Sequence, residues 1–211
     1  MQRRPLRRWV ARCLLVVTGW KPDGERPEVR RCVLIAAPHT TNWDFFYLLI
    51  FAAFYGVPIR WMGKDSLFRP PFGWLMRSLG GIPIVRHRSG NVVAAMARSF
   101  EGRRELVLVV PAEGTRSRRE YWKSGFYHIA CQADVPIVMS YLDYTEKRGG
   151  FGGAFRPTGD VREDMGHVRA FYAGKDGKYP ERFSRIRLRE EGEKGDDAPP
   201  RPLLARIREE S

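Results

Sequence analysis

The sequence predicts an α/β domain: a single domain with a mixed, largely parallel central sheet flanked by helices. Three observations lead there. Short apolar runs recur at 32–37, 105–111 and 135–142, each of strand length and each bounded by Pro, Gly or polar residues. Segments of helical length, such as 41–55, 91–100 and 160–173, lie between or after them, so strands and helices alternate. The chain has 211 residues, 43% of them hydrophobic, which is enough for one sizeable core and not for several.

The elements follow in order. Residues 1–30 form a basic N-terminal segment. Its start, MQRRPLRRWVARCLLVVTGW, imitates a signal peptide, but the apolar patch is short and no small-residue cleavage site precedes Lys21. It reads as a basic amphipathic segment that either lies on an anionic membrane surface or packs on its own domain. Residues 21–30 are polar and contain Pro and Gly, a linker. The domain proper spans 31–189. A strand at 32–37 is followed by a strongly apolar helix, 41–55, which Gly56 ends. Strands are expected at 57–62 and 82–85, with loop and short helix between them, and a helix at 91–100. The strand 105–111 precedes a helix at 121–133 and a strand at 135–142. The glycines of 149–153 mark a hairpin turn, and 160–173 is helical. From Glu190 the chain is charged and Pro-rich, a disordered tail over 190–211. The longest apolar stretch, 45–58, is too short to cross a bilayer.

Charge narrows the partners. The net charge is +13, so an anionic surface or substrate is expected: nucleic acid, anionic lipid or a phosphorylated small molecule. No nucleic-acid reading motif and no interleaving of basic and aromatic residues accompanies that charge, so nucleic acid is set aside. The three cysteines, Cys13, Cys32 and Cys131, have neither metal-ligand nor disulfide spacing, which suits a reducing compartment. No metal site is visible.

Chemistry concentrates in VLIAAPHTTNWD, residues 33–44. The strand stops at Pro38, His39 falls in the bend, and Thr41 with Asp44 three residues on resembles a capping box with Asp in place of Glu. Within one helix His39 and Asp44 would point about 140° apart. With His39 in the loop it folds back, and one imidazole nitrogen meets the carboxylate while the other takes a proton from a hydroxyl. A helix-capping Asp and an ordinary turn His remain the other reading of the same residues. A second cluster is the loop Glu113-Gly114-Thr115-Arg116, at the carboxyl end of the strand 105–111, where open α/β sheets bind ligands. Gly114 allows close backbone approach and Arg116 offers a planar fork for phosphate. A surface turn with a local ion pair is the alternative. A third group, Lys64, Arg69 and Arg86, sits among glycines in 63–86.

The order of these blocks is more specific than any one of them. HTTNWD, then a Lys/Gly/Pro stretch ending GGIPIVR, then EGTRS, then VPIV resembles the four blocks of the glycerolipid acyltransferases, the 1-acylglycerol-3-phosphate acyltransferase-like family, over about residues 32–145. Within it the chain resembles the small subgroup with HTTNWD, GKDSLF and WKSGFYHIA. The resemblance implies the glycerolipid acyltransferase fold and a direct acyl transfer. His39 would be the general base and Asp44 its orienter. Asn42, Lys64, Arg86, Glu113, Gly114, Thr115 and Arg116 would bind the acceptor's phosphate or headgroup, and VPIV at 135–138 would wall the acyl pocket. It implies no cofactor, with acyl-CoA or acyl-carrier protein as co-substrate, a lysophospholipid acceptor, and peripheral or monotopic attachment at the cytoplasmic face of an anionic membrane. Two positions depart from the family pattern. Val85 stands where an acidic residue usually precedes the Arg, and Ala112 stands where Pro usually precedes the Glu. Both bear on the acceptor. Other lipid or glycolipid acceptors, glycerol 3-phosphate, and a non-catalytic lipid-binding role for the same fold are the alternatives.

Overall fold

The computed structural model describes residues 5–84 and 89–192. Helix α1 (Pro5–Thr18) leads into a short strand β1 (Lys21–Asp23), then β2 (Arg31–Ala36), α2 (Trp43–Tyr55) and β3 (Ile59–Lys64). A 3-10 turn at Asp65–Phe68 and α3 (Gly73–Ser78) precede β4 (Gly81–Ile84), α4 (Ser89–Arg98) and β5 (Leu106–Val110). Then come α5 (Gly125–Ala133), β6 (Ile137–Asp143), β7 (Arg148–Phe155) and α6 (Val161–Tyr172). The seven strands form one sheet in the order β1-β7-β6-β2-β5-β3-β4. Strands β6, β2, β5, β3 and β4 are mutually parallel; β7 runs against β6, and β1 is parallel to β7. This is the mixed, largely parallel sheet expected, and its central strands are covered on both faces, as parallel strands require.

Alternation within each strand decides which residue meets which layer. Val33, Ile35, Leu108 and Val110 face a core shared with α4, α5 and α6. Cys32, Leu34, Val107 and Val109 face the other way, onto α2, Trp61 and Phe68. Helix α1 lies outside α2: Ala11 and Leu15 are buried against Ile50 and Phe51. The described part of the N-terminal segment is therefore packed onto the domain rather than appended to it.

Several expectations are corrected. The predicted linker contributes β1, because Lys21–Asp23 pairs with Arg148–Gly150. The glycines at 149–153 are not the turn. They lie inside β7, and the turn falls at 144–147. A Cβ at Gly150 would lie 1.7 Å from the Asp23 carbonyl oxygen, so glycine serves close strand approach there. Helix α5 starts at Gly125, later than predicted, because Trp122 runs extended beside Leu188 and donates its N–H to the Arg187 carbonyl at 2.8 Å. The ordered chain runs on past Glu190: Glu191 is buried and pairs with Arg169 at 2.6 Å. Residues 193–211, like Val85, Arg86 and His87, lie outside the described residues.

Candidate active site

The apolar strand β2 ends in the Pro38–Asn42 loop, and α2 begins at Trp43, which puts His39 in the loop and Asp44 in the first helical turn. The His39 Nδ1 atom lies 3.3 Å from Asp44 Oδ2. That oxygen also accepts the N–H groups of Thr40 (2.8 Å) and Thr41 (2.9 Å). The same carboxylate oxygen thus ties down the backbone entering α2 and meets the imidazole, so the two readings of Asp44 do not exclude each other. The other carboxylate oxygen, Oδ1, accepts a hydrogen bond from Tyr144 Oη at 2.7 Å. The buried Asp44 side chain thus has a partner for each oxygen and sits at the positive end of α2. Burial and the Asp44 charge push the pKa of the Tyr144 hydroxyl upward, so it stays a donor. With Nδ1 engaged, His39 Nε2 has no partner among the described residues.

Glu113 follows β5 and is fully buried. One carboxylate oxygen accepts the His39 N–H at 2.6 Å and the other accepts the Ser184 N–H at 3.0 Å. Burial raises its pKa, with the two amide bonds working against that rise. Its oxygens thus hold backbone, and its side chain is not part of the cleft over His39. Gly114 takes a φ of +68°, and a Cβ there would meet the Lys123 side chain at 2.7 Å. Thr115 and Arg116, which follow it, line the same cleft as His39. Arg116 Nη1 donates to the Asn42 side-chain oxygen, joining the first and third blocks.

A cleft of about 690 Å³ opens over these residues. His39, Asn42, Asp44, Lys64, Gly114, Thr115 and Arg116 line its polar part. Phe45, Leu48, Trp61, Met62, Leu67 and Met76 line the apolar part. The expected sites therefore converge, apart from buried Glu113 and from Arg86, which is outside the described residues. The VPIV stretch does not wall the cleft. Val135 and Ile137 are packed in the core on the far side of the sheet, and Val138 is fully buried. Helix α2, β3 and the 67–76 segment supply the wall instead, since they cover the sheet face on which His39 opens. Arg69 turns to Asp65 at 3.1 Å. His128, on α5, is exposed and lies 3.4 Å from Glu190, away from the cleft.

Three contributors escaped sequence reasoning. Tyr144 sits just past the carboxyl end of β6, where ligand-site residues of such sheets gather, and that rule applied to β6 points to it. Ser184 carries no local signal. Gly177 is buried beneath the loop: a Cβ there would lie 2.8 Å from the Thr40 side chain and 3.1 Å from Pro38. Among the described residues no cluster of His, Cys, Asp and Glu is arranged to hold a metal. No described helix is long and apolar enough to cross a membrane.

The family model for "Acyltransferase" matches residues 23–142. Among solved structures the fold is similar to PlsC, the 1-acyl-sn-glycerophosphate (LPA) acyltransferase from Thermotoga maritima. The TM-score is 0.53 at 16% identity, over 80% of this chain and 74% of that one. No curated protein matches the sequence. The family match covers more than half of the chain and takes in both the His39–Asp44 pair and the 113–116 loop, and on that ground the chain belongs to the acyltransferase family.

Proposed function

We propose that the protein transfers a fatty acyl group from an acyl-CoA or acyl-carrier-protein thioester to a hydroxyl of a lysophospholipid such as 1-acylglycerol 3-phosphate. The observation that carries this reading is a His–Asp pair at the boundary between an apolar cleft and a cationic mouth. An acyl chain matches the apolar wall, and a phosphate matches Arg116 and Lys64.

His39 Nε2 takes the proton of the acceptor hydroxyl as its oxygen bonds to the thioester carbonyl carbon. Asp44 stabilises the imidazolium formed. The tetrahedral adduct then collapses, the C–S bond breaks, and the thiolate leaves with the proton returned from His39. No acyl-enzyme is required. Glu113 holds the His39 backbone in place, while Arg116, positioned through Asn42, takes the acceptor's phosphate.

The reading extends to location. Leu6, Trp9, Val10, Val16 and Val17 of α1 are exposed, on the side of the helix away from α2. With the basic N-terminus they suit a peripheral or monotopic seat on the cytoplasmic face of an anionic membrane, where both donors and lipid acceptors meet. The departures from the family pattern at Val85 and Ala112 bear on the acceptor, and a glycolipid or glycerol 3-phosphate is the second acceptor class.

The test is thiol release from palmitoyl-CoA, with and without lysophosphatidate, for the wild type and His39→Ala. Acceptor-dependent release is expected, reduced by about 10²–10⁴-fold in the variant. Equal release from both proteins would remove His39 as the base.

A further inference from the structure

Two segments beside the cleft are cationic beyond what the reaction uses. Residues 115–123 carry four cations, Arg116, Arg118, Arg119 and Lys123, against the single Glu120. Residues 181–190 carry four arginines against Glu181 and Glu190. Nothing in the sequence relates the two, yet the fold lays them side by side. The Arg119 N–H donates to Ser184 Oγ at 3.0 Å, the Trp122 N–H donates to the Arg187 carbonyl at 2.8 Å, and Trp122 bridges to Leu188. Arg118, Arg119, Lys123, Arg182, Arg185 and Arg189 are all exposed. One end of the strip is Arg116 at the cleft mouth. Its middle, Ser184, donates its N–H to the same Glu113 carboxylate that holds His39.

We propose that this strip is the docking surface for an acidic acyl-carrier protein, the donor side of the reaction proposed above, on which the identity of the cargo rests. Three features select that occupant. The strip is charged without being greasy: none of the large exposed apolar side chains of the described residues falls within 115–123 or 181–190, whereas α1 and the 67–74 region expose Trp9, Val17, Leu67, Phe72 and Trp74. A bilayer surface needs apolar insertion as well as charge, and α1 supplies both, so the strip is the surface suited to a soluble polyanion. The cations are also spread along two extended segments. The cleft over His39 is lined by none of Arg118, Arg119, Arg182, Arg185 or Arg189, whereas a nucleotide is held in a concave site. Finally, seven of the eight cations are arginine, whose planar fork takes the carboxylates of Asp and Glu in pairs. A folded acidic carrier docked there would present its acylated arm at the cleft mouth, a short step from His39.

The experiment measures binding and turnover separately. Binding of an acidic acyl-carrier protein in its holo form is followed for the wild type and for the triple variant Arg118→Glu, Arg119→Glu, Arg189→Glu, at low and high salt. The triple variant Arg→Gln at the same positions, with thermal melting of each, controls for folding. Wild-type binding that weakens with salt is expected, together with at least about a tenfold loss in the Glu variant and a smaller one in the Gln variant. The KM for palmitoyl-carrier protein should rise by about the same factor while kcat, and KM for palmitoyl-CoA, stay within about twofold. No binding by the wild type at low salt overturns the surface, as does an equal loss with both donors. Loss of sedimentation with anionic vesicles, with carrier binding intact, reassigns the strip to the membrane. Transfer from palmitoyl-CoA without carrier binding leaves the reaction and removes the surface; carrier binding without transfer from either donor does the reverse.

Discussion

At the scale of single residues, His39 is held from two sides: Asp44 meets its ring and Glu113 meets its backbone. Tyr144 adds a third restraint by bonding the far oxygen of Asp44, and Trp20 packs on its ring edge-on at 4.9 Å. Removing that hydroxyl costs one hydrogen bond to a charged group, on the order of 1.5 kcal/mol, so Tyr144→Phe should lower kcat/KM about tenfold. Glu113 makes a contrasting case. Both its oxygens accept amide protons, so Glu113→Gln turns an NH2 group toward one buried donor and should cost about 1–3 kcal/mol, read as a lower Tm. Its effect on turnover should fall on kcat more than on the acceptor KM, since the carboxylate holds backbone. Burial sets the folded pKa of Glu113 above its unfolded value, so between the two values the folded state binds more protons and stability falls as pH rises. The Gln variant should lack that part of the slope in a Tm-versus-pH series.

At the scale of elements, α1 has two apolar sides. Ala11 and Leu15 pack on α2, while Trp9 and Val17 are left in solvent. Trp9→Glu with Val17→Glu should therefore change stability little, by less than about 0.5 kcal/mol per site, yet abolish sedimentation with anionic vesicles. Leu15→Ala should instead cost about 2–5 kcal/mol. Strand β7 offers a second test. Gly150 has no room for a methyl group against the Asp23 carbonyl, so Gly150→Ala should break the β1–β7 pairing, read as loss of amide protection in 21–23. The periodic helices and the buried strands were legible in the sequence because a core-facing pattern is local. The glycine-rich β7 was not: glycine runs signal turns by local propensity, and here the requirement is contact with another strand.

At the scale of the whole molecule, basic residues among the described ones fall on helix α1, which also has an apolar face, and on a cationic cleft mouth that continues into the strip formed by 115–123 and 181–190. The sheet brings the carboxyl ends of β2, β5 and β3 together, and with them His39, Thr115, Arg116 and Lys64. That convergence was readable in outline, because each motif follows a predicted strand and ligands gather at one edge of such sheets. The lining of the cleft was not. The VPIV strand looked suited to it, but which face of the sheet a strand residue meets depends on register and on the helix laid over that face.

The chain by itself determined the fold class and the family, and offered the pairing of His39 with Asp44 as one of two readings, because these depend on residue type and short-range spacing. Tertiary structure decided that Glu113 holds backbone rather than lining the cleft, that Tyr144 and Ser184 belong to the site, and that two basic segments form one surface. Those depend on contacts between residues far apart in sequence: Tyr144 lies 100 residues from Asp44, and Ser184 lies 71 from Glu113. No local pattern encodes such pairs; they exist only once the sheet has set its strand order.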